Sequence, residues 1–377
     1  MNRYLSFFLW LFFLVGCTSS PKKAPIKAYK PSGGILFAER FQIEYKEGVK
    51  LITIDKPWQG SKEPIKYLLY KDSIPNVFVD DNSYVKIKVP VRTIVCNLTT
   101  QLALMEELGV SDRLIGFAQT QFIYSPAFIE KVDNGIVKEV GPDGSLDIES
   151  ILNLNPDIVL AFSSGNENRQ LEKLRELGVN VVMNAGYMET TVLGRYEWIK
   201  FLGHLTGTED IATRIFDEKV IAYDSLAQLV KGKEGPAVIT GTLYGGTWFM
   251  PAGDNYGANI LAAAGGNYLW KEDQSTGWLS MDFESVFEQG YDADYWIGVA
   301  SYSSLGQLLE SDARYAEFEA FKKGNVYAYM ARVNENGAND YFESGNVNPD
   351  KLLADLIKIL HPELLPDYEL YYYMKLE

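Results

Sequence analysis

Histidine and cysteine are nearly absent from this 377-residue chain, with two of each. His204 and His361, both expected at helix ends, are too few for the imidazole or carboxylate clusters that hold zinc or manganese directly. No protein-built metal site and no cofactor are expected. Cys17 and Cys96 allow no internal disulfide once Cys17 is acylated, so stability must come from core burial, which a 47% hydrophobic composition can supply. Cys96, within Thr93-Ile94-Val95-Cys96, reads as a buried core thiol. Positive charge is also short: Lys and Arg total 35 against 50 Asp and Glu, a formal net charge of −15. That balance opposes nucleic-acid binding and wide contact with anionic lipid. Gly-x-Ser-x-Gly elbows, phosphate-cradling Gly-rich loops and His-Glu-x-x-His helices are all missing, so no enzyme is expected.

What is present begins at the N-terminus. Residues 1–17, MNRYLSFFLWLFFLVGC, join Arg3 to an apolar run from Tyr4 to Val15 that is too short to cross a bilayer but suits a signal-peptide core. The ending Leu14-Val15-Gly16-Cys17 matches the bacterial lipobox, with Cys17 the lipidated residue. Residues 18–34, rich in Lys, Pro and Ser, read as a flexible tether. The expectation is an exported protein, lipid-anchored to a bacterial membrane at its periplasmic face or at the cell surface.

Alternation dominates residues 35–89: Phe41, Ile43 and Tyr45, then Val49, Leu51 and Thr53, flank Lys46-Glu47-Gly48 as a hairpin. From 90 to 189 and again from 233 to 377, strand and helix patterns alternate, which implies parallel sheets covered on both faces. Helices fill 190–232 between them. From Thr208 to Lys231 the spacing of Ile211, Ile215, Ala222, Leu226 and Val230 predicts one long amphipathic helix, with Thr208 as cap and Gly232 as left-handed terminator. The predicted architecture is α/β: two lobes joined by one long helix, with a β-rich extension at the N-terminus.

A repeat supports two equivalent lobes. Asp147-Ile148-Glu149-Ser150-Ile151-Leu152 recurs as Asp282-Phe283-Glu284-Ser285-Val286-Phe287, each opening a short helix with an Asp cap. Each is followed by an acidic residue and an apolar strand, at Asp157 and Asp294. Both glutamates suit their helix dipoles, and the matched pair also suits a shared external contact.

Pro90-Val91-Arg92-Thr93-Ile94-Val95, the LGVSDRLIGFA at 108–118 and the DIESILNLNPDIVLA at 147–161 resemble one lobe of the ABC-importer substrate-binding proteins that handle iron–siderophore complexes, haem and cobalamin. AAGGNYLW at 263–270, FKKGNVYA at 321–328 and NPDKLLADLIKILHPELL at 348–365 resemble the other. The resemblance implies Rossmann-like lobes, a metal held only inside a bound chelate, an ABC permease and its ATPase as partners, and a monomeric receptor. It assigns permease docking to Glu149 and Glu284. It leaves siderophore, cobalamin and haem undivided, as it does an enzyme or scaffold no longer coupled to transport, and it does not cover residues 35–89.

Ligands of open α/β sheets lie outside the carboxyl ends of strands, so two such lobes should face each other across a binding cleft. On this basis Gln119, Tyr124 and Asn166, with Thr99, Thr100, Gln101, Ser163 and Ser164 near them, are the first lobe's candidates. Tyr244, Trp248, Tyr256, Trp278 and Tyr302 are the second's, with Arg332 placed to meet an anionic chelate.

Overall fold

The computed structural model describes residues 34–142, 144–163 and 169–377, so Cys17, Ser164 and Asn166 lie outside the described residues. Four sheets organise the described residues. The first contains β1 (Phe41–Lys46), β2 (Val49–Ile54), β3 (Ile65–Tyr70) and β4 (Val85–Lys88) in that order. Glu47 and Gly48, at φ 51° and 78°, make the two-residue turn that the β1–β2 hairpin requires. One face of this sheet buries Val49, Leu51 and Leu68 with Phe78. Tyr67 bolts the sheet to its neighbour, since its hydroxyl accepts from the Met183 amide at 2.9 Å and donates to the Val181 carbonyl at 3.4 Å.

The second sheet is parallel throughout. Its strands are β5 (Ile94–Cys96), β6 (Leu114–Phe117), β7 (Lys138–Glu139), β8 (Ile158–Ala161) and β9 (Val181–Met183), ordered β7-β6-β5-β8-β9. Every residue of β5, β8 and β9 is buried, as continuous Ile, Val and Leu runs require of a strand covered on both faces. Cys96 is among them, and burial pushes its thiol far above the ordinary range.

After residue 233 come β10 (Ala237–Thr240), β11 (Thr242–Tyr244), β12 (Thr247–Pro251), β13 (Asn267–Tyr268), β14 (Trp278–Met281), β15 (Tyr295–Ile297), β16 (Val326–Ala328) and β17 (Met374–Lys375). They form a five-stranded sheet β13-β10-β15-β16-β17, antiparallel only at its last strand, and a small antiparallel sheet β11-β12-β14. The antiparallel sheet was not anticipated from sequence.

Two helices connect the parallel sheets. The long one spans Glu209–Leu229 with Gly232 at φ 78° as expected, whereas Thr208 occupies the cap position without a capping hydrogen bond, its hydroxyl lying 2.8 Å from that of Thr206. Its buried stripe is Ala212, Phe216, Val220 and Tyr223, one position out of phase with Ile211 and Ile215; Ile211 is 40% exposed. The aromatic Phe216 and Tyr223 outweigh the β-branched Ile residues because rings bury more apolar surface. The preceding helix, Val192–Thr206, is the interior one: every residue except Arg195 is buried. Trp198 on this helix sits 4.8 Å from the Phe41 ring and 5.2 Å from Phe201, contacts worth about 0.5–1.5 kcal/mol per aromatic pair beyond area burial. Gly203 lets the two helices touch, because a Cβ there would meet the Ala212 methyl at 2.8 Å.

The repeated caps are matched in three dimensions. Asp147 accepts from the Ser150 amide at 3.1 Å and Asp282 from Ser285 at 2.6 Å, and these serine contacts hold both carboxyls below the usual range. Asp157 then accepts from the Arg92 and Thr93 amides ahead of β5, and Asp294 from Ala237 at the start of β10. Each acidic residue after the repeat thus ties its helix–strand unit to the first strand of its parallel sheet, β5 or β10.

Candidate ligand cavity

Parallel strands from both large sheets end at one cavity of about 740 Å³. Leu98 and Thr99 follow β5, Phe162 follows β8, and Asn184 and Gly186 follow β9. From the opposite side, Gly241 follows β10, Gly298 and Ala300 follow β15, and Tyr329 follows β16. The carboxyl ends of strands expose backbone that no neighbouring strand completes, which is why ligands of open α/β sheets collect there. Gly241, at φ 78°, is needed for this wall: a Cβ would lie 1.9 Å from the Phe249 carbonyl oxygen.

Arg195 is the dominant polar feature. It stands in the first turn of the interior helix, which Thr191 caps by accepting from the Gly194 amide. Its Nε donates to the Glu189 carbonyl at 3.1 Å and one Nη to the Tyr187 carbonyl at 2.8 Å, while the guanidinium lies 3.8 Å from the centre of the Tyr256 ring. These hydrogen bonds go to neutral carbonyls, so the guanidinium is held in place while its charge is balanced only through the field of Glu189. Burial lowers the proton affinity of this guanidinium, with Tyr256, Tyr341 and Glu189 opposing it. Burial likewise pushes the Tyr256 and Tyr341 hydroxyls up, which keeps both neutral donors.

Three of the sequence-expected residues line this cavity: Tyr244, Tyr256 and Trp278, joined by Thr99 and Thr100. Tyr244 and Trp278 line it while remaining 81% and 67% exposed. Trp248 does not line it. It is fully buried, stacks on Trp296 at 5.4 Å among Phe283, Tyr315 and Phe318, and donates its indole N–H to the Thr240 carbonyl. Strand alternation decides this: on β12, Trp248 faces the core and Phe249 faces the cavity.

Arg332 is also elsewhere. Its Nε donates to Asp340 at 2.6 Å and its guanidinium packs over Tyr371 and Tyr124, so the charge expected for an anionic ligand is already paired. Tyr124 therefore belongs to that cluster, and its amide donates to Glu343 at 2.7 Å. Gln119 takes a left-handed conformation with its amide on Glu139, and neither it nor Tyr302 reaches the cavity wall. Thr99, Thr100 and Gln101, read as a polar turn, form the first turn of the helix Thr99–Glu107, with Gln101 fully buried. Sequence reasoning missed Arg195, Tyr329 and Tyr341. For Arg195 a signal was present: one Arg in the otherwise apolar start of a helix, four residues after a Thr cap.

Among the described residues no group of three or more His, Cys, Asp or Glu could hold a metal ion, and no helix is long and apolar enough to cross a membrane.

Comparison with known proteins fits this geometry. Over 363 residues the chain is 25% identical to an uncharacterized lipoprotein of Methanocaldococcus jannaschii, covering 88% of this chain and 85% of that one. A 73-residue stretch is 33% identical to the vitamin B12-binding protein of Vibrio cholerae, covering 19% and 24% of the two chains. The solved structure of a periplasmic binding protein from Veillonella parvula superposes with a TM-score of 0.58 at 16% identity, covering 86% of this chain and 98% of that one. Residues 94–333, which hold both parallel sheets up to β16 and the helices between them, match the periplasmic binding protein family, and the chain belongs to that family of ABC-importer solute-binding proteins.

Proposed function

We propose that this protein is the membrane-anchored receptor of an ABC importer and captures an iron–siderophore-type metal chelate carrying acidic groups. The observation that carries this reading is the cavity itself, with a half-buried Arg195 hydrogen-bonded to neutral carbonyls beside exposed aromatic residues, on a chain of formal net charge −15. A guanidinium among rings suits a large ligand with a carboxylate or phosphate at one end and a flat or conjugated body. The metal would arrive inside the chelate, and the protein would bind the chelate's periphery. Cobalamin is the second reading, favoured by the vitamin B12-binding relative of Vibrio cholerae; haem is the third.

Lipid anchoring at Cys17 rests on Leu14-Val15-Gly16-Cys17 and on the lipoprotein name of the Methanocaldococcus relative. The receptor would hand its cargo to a permease through Glu149 and Glu284, one on each side of the long connection.

The test is titration of the purified protein with ferric siderophores, cyanocobalamin, haem and free ferric ion, read by tryptophan fluorescence, beside mass spectrometry of ligand co-purified from cells. Binding of ferric chelates without binding of free iron is expected. Saturable binding of cobalamin or haem alone selects the second or third reading. Binding of none of the chelates overturns all three.

A further inference from the structure

The family match begins at residue 94, so the four-stranded sheet of residues 41–88 and the segment leading into it lie outside it. Yet Arg40 and Gln59, both from this extension, line the cavity.

Their placement is built. Five consecutive backbone amides are captured by two carboxylates: Glu197 accepts from Leu36 at 3.0 Å, Phe37 at 2.7 Å and Ala38 at 2.8 Å, and Glu189 accepts from Glu39 at 2.9 Å and Arg40 at 3.0 Å. Lys200 closes the clasp, donating to the Gly34 carbonyl at 2.8 Å and to Glu197 at 2.9 Å. Glu197 and Lys200 sit on the interior helix, and both are buried. A strand entry held at five amides in succession has no freedom of register, so the Arg40 side chain is directed into the cavity.

Arg40 has spare capacity there. Its Nε is buried without a hydrogen-bond partner. The nearest carboxylate, Glu189, already accepts from two amides and from the Trp198 indole N–H at 3.1 Å. Arg195 likewise hydrogen-bonds to neutral carbonyls, so the two guanidiniums share the field of the single Glu189 carboxylate. Among the described lining residues the only charges are these two guanidiniums and Glu189, a positive excess at one end of the cavity.

We propose that the N-terminal extension is part of the ligand site, and that Arg40 pairs with Arg195 to receive an acidic group of the cargo, a carboxylate or phosphate carried by the chelate. Residues 34–40 then act as a specificity clasp that selects anionic over neutral chelates. This rests on the chelate-receptor reading above.

The test uses two probes that differ in charge: an anionic ferric hydroxycarboxylate (ferric citrate) and a neutral ferric trihydroxamate, titrated against the full chain and Arg40→Gln. Loss of one charge-assisted contact should weaken ferric citrate by roughly tenfold or more and leave the trihydroxamate within about twofold. Arg40→Lys should recover part of the loss, because it keeps charge but not the planar fork. Added salt should weaken citrate binding to wild type more than trihydroxamate binding, a readout that needs no variant. Equal citrate affinity in wild type and Arg40→Gln, at unchanged melting temperature, removes the clasp and leaves the chelate reading standing. Binding of the trihydroxamate alone by wild type overturns the anion site while keeping the receptor role. Binding of neither ferric probe by wild type overturns the inference, and the siderophore reading with it.

Discussion

Residues before position 200 and those after it shape the same cavity differently. Arg40, Glu189 and Arg195, the charged lining residues among those described, all come from the first group, with Thr99, Thr100 and Asn184 beside them. The second group supplies Tyr244, Phe249, Tyr256, Trp278, Tyr329 and Tyr341 and no charge. A ligand with distinct acidic and apolar ends would be oriented by such a site. The difference also assigns energies. The charged wall discriminates by desolvated, directional contacts, while the ring wall contributes area with shallow preference for geometry.

The largest expected effect separates a ring of the core from a ring of the wall. Trp248→Ala should cost about 3–5 kcal/mol of stability, the usual price of removing a fully buried large aromatic side chain. Trp278→Ala, at a 67% exposed position, should leave stability within about 0.5 kcal/mol and weaken chelate binding several-fold. Denaturant unfolding paired with ligand titration checks both. Equal stability losses would mean that Trp278 is packed in solution, and the ring wall would lose its mouth.

Next comes the charged wall. Arg195→Leu should weaken an anionic chelate by roughly 10–100-fold, the worth of a charge-assisted hydrogen bond in a partly dry site. Melting temperature should change little, since the substitution also removes a half-buried charge whose hydrogen bonds go to neutral carbonyls. Calorimetric titration decides it. An unchanged dissociation constant would move the acidic end of the ligand away from this wall altogether.

A smaller effect tests how the two walls are held together. Glu343, from the ring side, accepts from the Tyr124 and Ser125 amides of the other side at 2.7 and 2.9 Å. Burial raises its carboxyl from 4.5 to about 7, opposed by those two amides and helped by the nearby Glu106 and Asp340. The folded value lies above the unfolded one, so the folded state keeps a proton that the unfolded state has released. The group costs nothing below about pH 4.5 and becomes a growing penalty as pH rises to about 7. Wild type should therefore lose melting temperature relative to Glu343→Gln across that window. Parallel pH profiles for the two proteins would place the ionised carboxylate in the folded state throughout.

How much of this was legible in sequence depended on whether the signal was local. The β1–β2 hairpin, the parallel-sheet strands, the long helix and the Asp caps each follow from spacing within about ten residues, and each is present. The matched ties from Asp157 and Asp294 to the strand starts are long-range, but the repeat pointed to both residues. The cavity fared less well because strand ends specify a place and not a side-chain direction. Tyr244 and Trp278 face the cavity, while Trp248, four residues after Tyr244, belongs to the core because of strand pleating. Arg332 looked free because its partner Asp340 lies across a loop. Arg40 could not be read at all. Its position depends on carboxylates about 150 residues away, and no pattern within the extension encodes that.

The same division into halves bears on the permease. Glu149 and Glu284 occupy equivalent first-turn positions behind equivalent caps, and both are exposed. They differ in one respect. Glu284 is paired with Arg314 at 3.1 Å, whereas Glu149 is in no ion pair among the described residues. An ion pair this exposed is weakened by solvent and salt, so an incoming permease arginine would displace Arg314 at small cost. That cost still makes the Glu284 contact the weaker of two proposed docking contacts. Neither residue lines the cavity, so alanine at either should leave chelate affinity unchanged. In cells, uptake should fall more for Glu149→Ala than for Glu284→Ala, with the double variant lowest and the losses shrinking as added salt screens these contacts. Arg314→Ala should then act in the opposite direction, freeing Glu284 and matching its alanine variant more closely to that of Glu149. Chelate uptake measured beside ligand titration of the purified variants separates docking from binding. Full uptake by a Glu149→Arg, Glu284→Arg double variant would leave both glutamates as partners of their own helix dipoles, with the docking surface elsewhere.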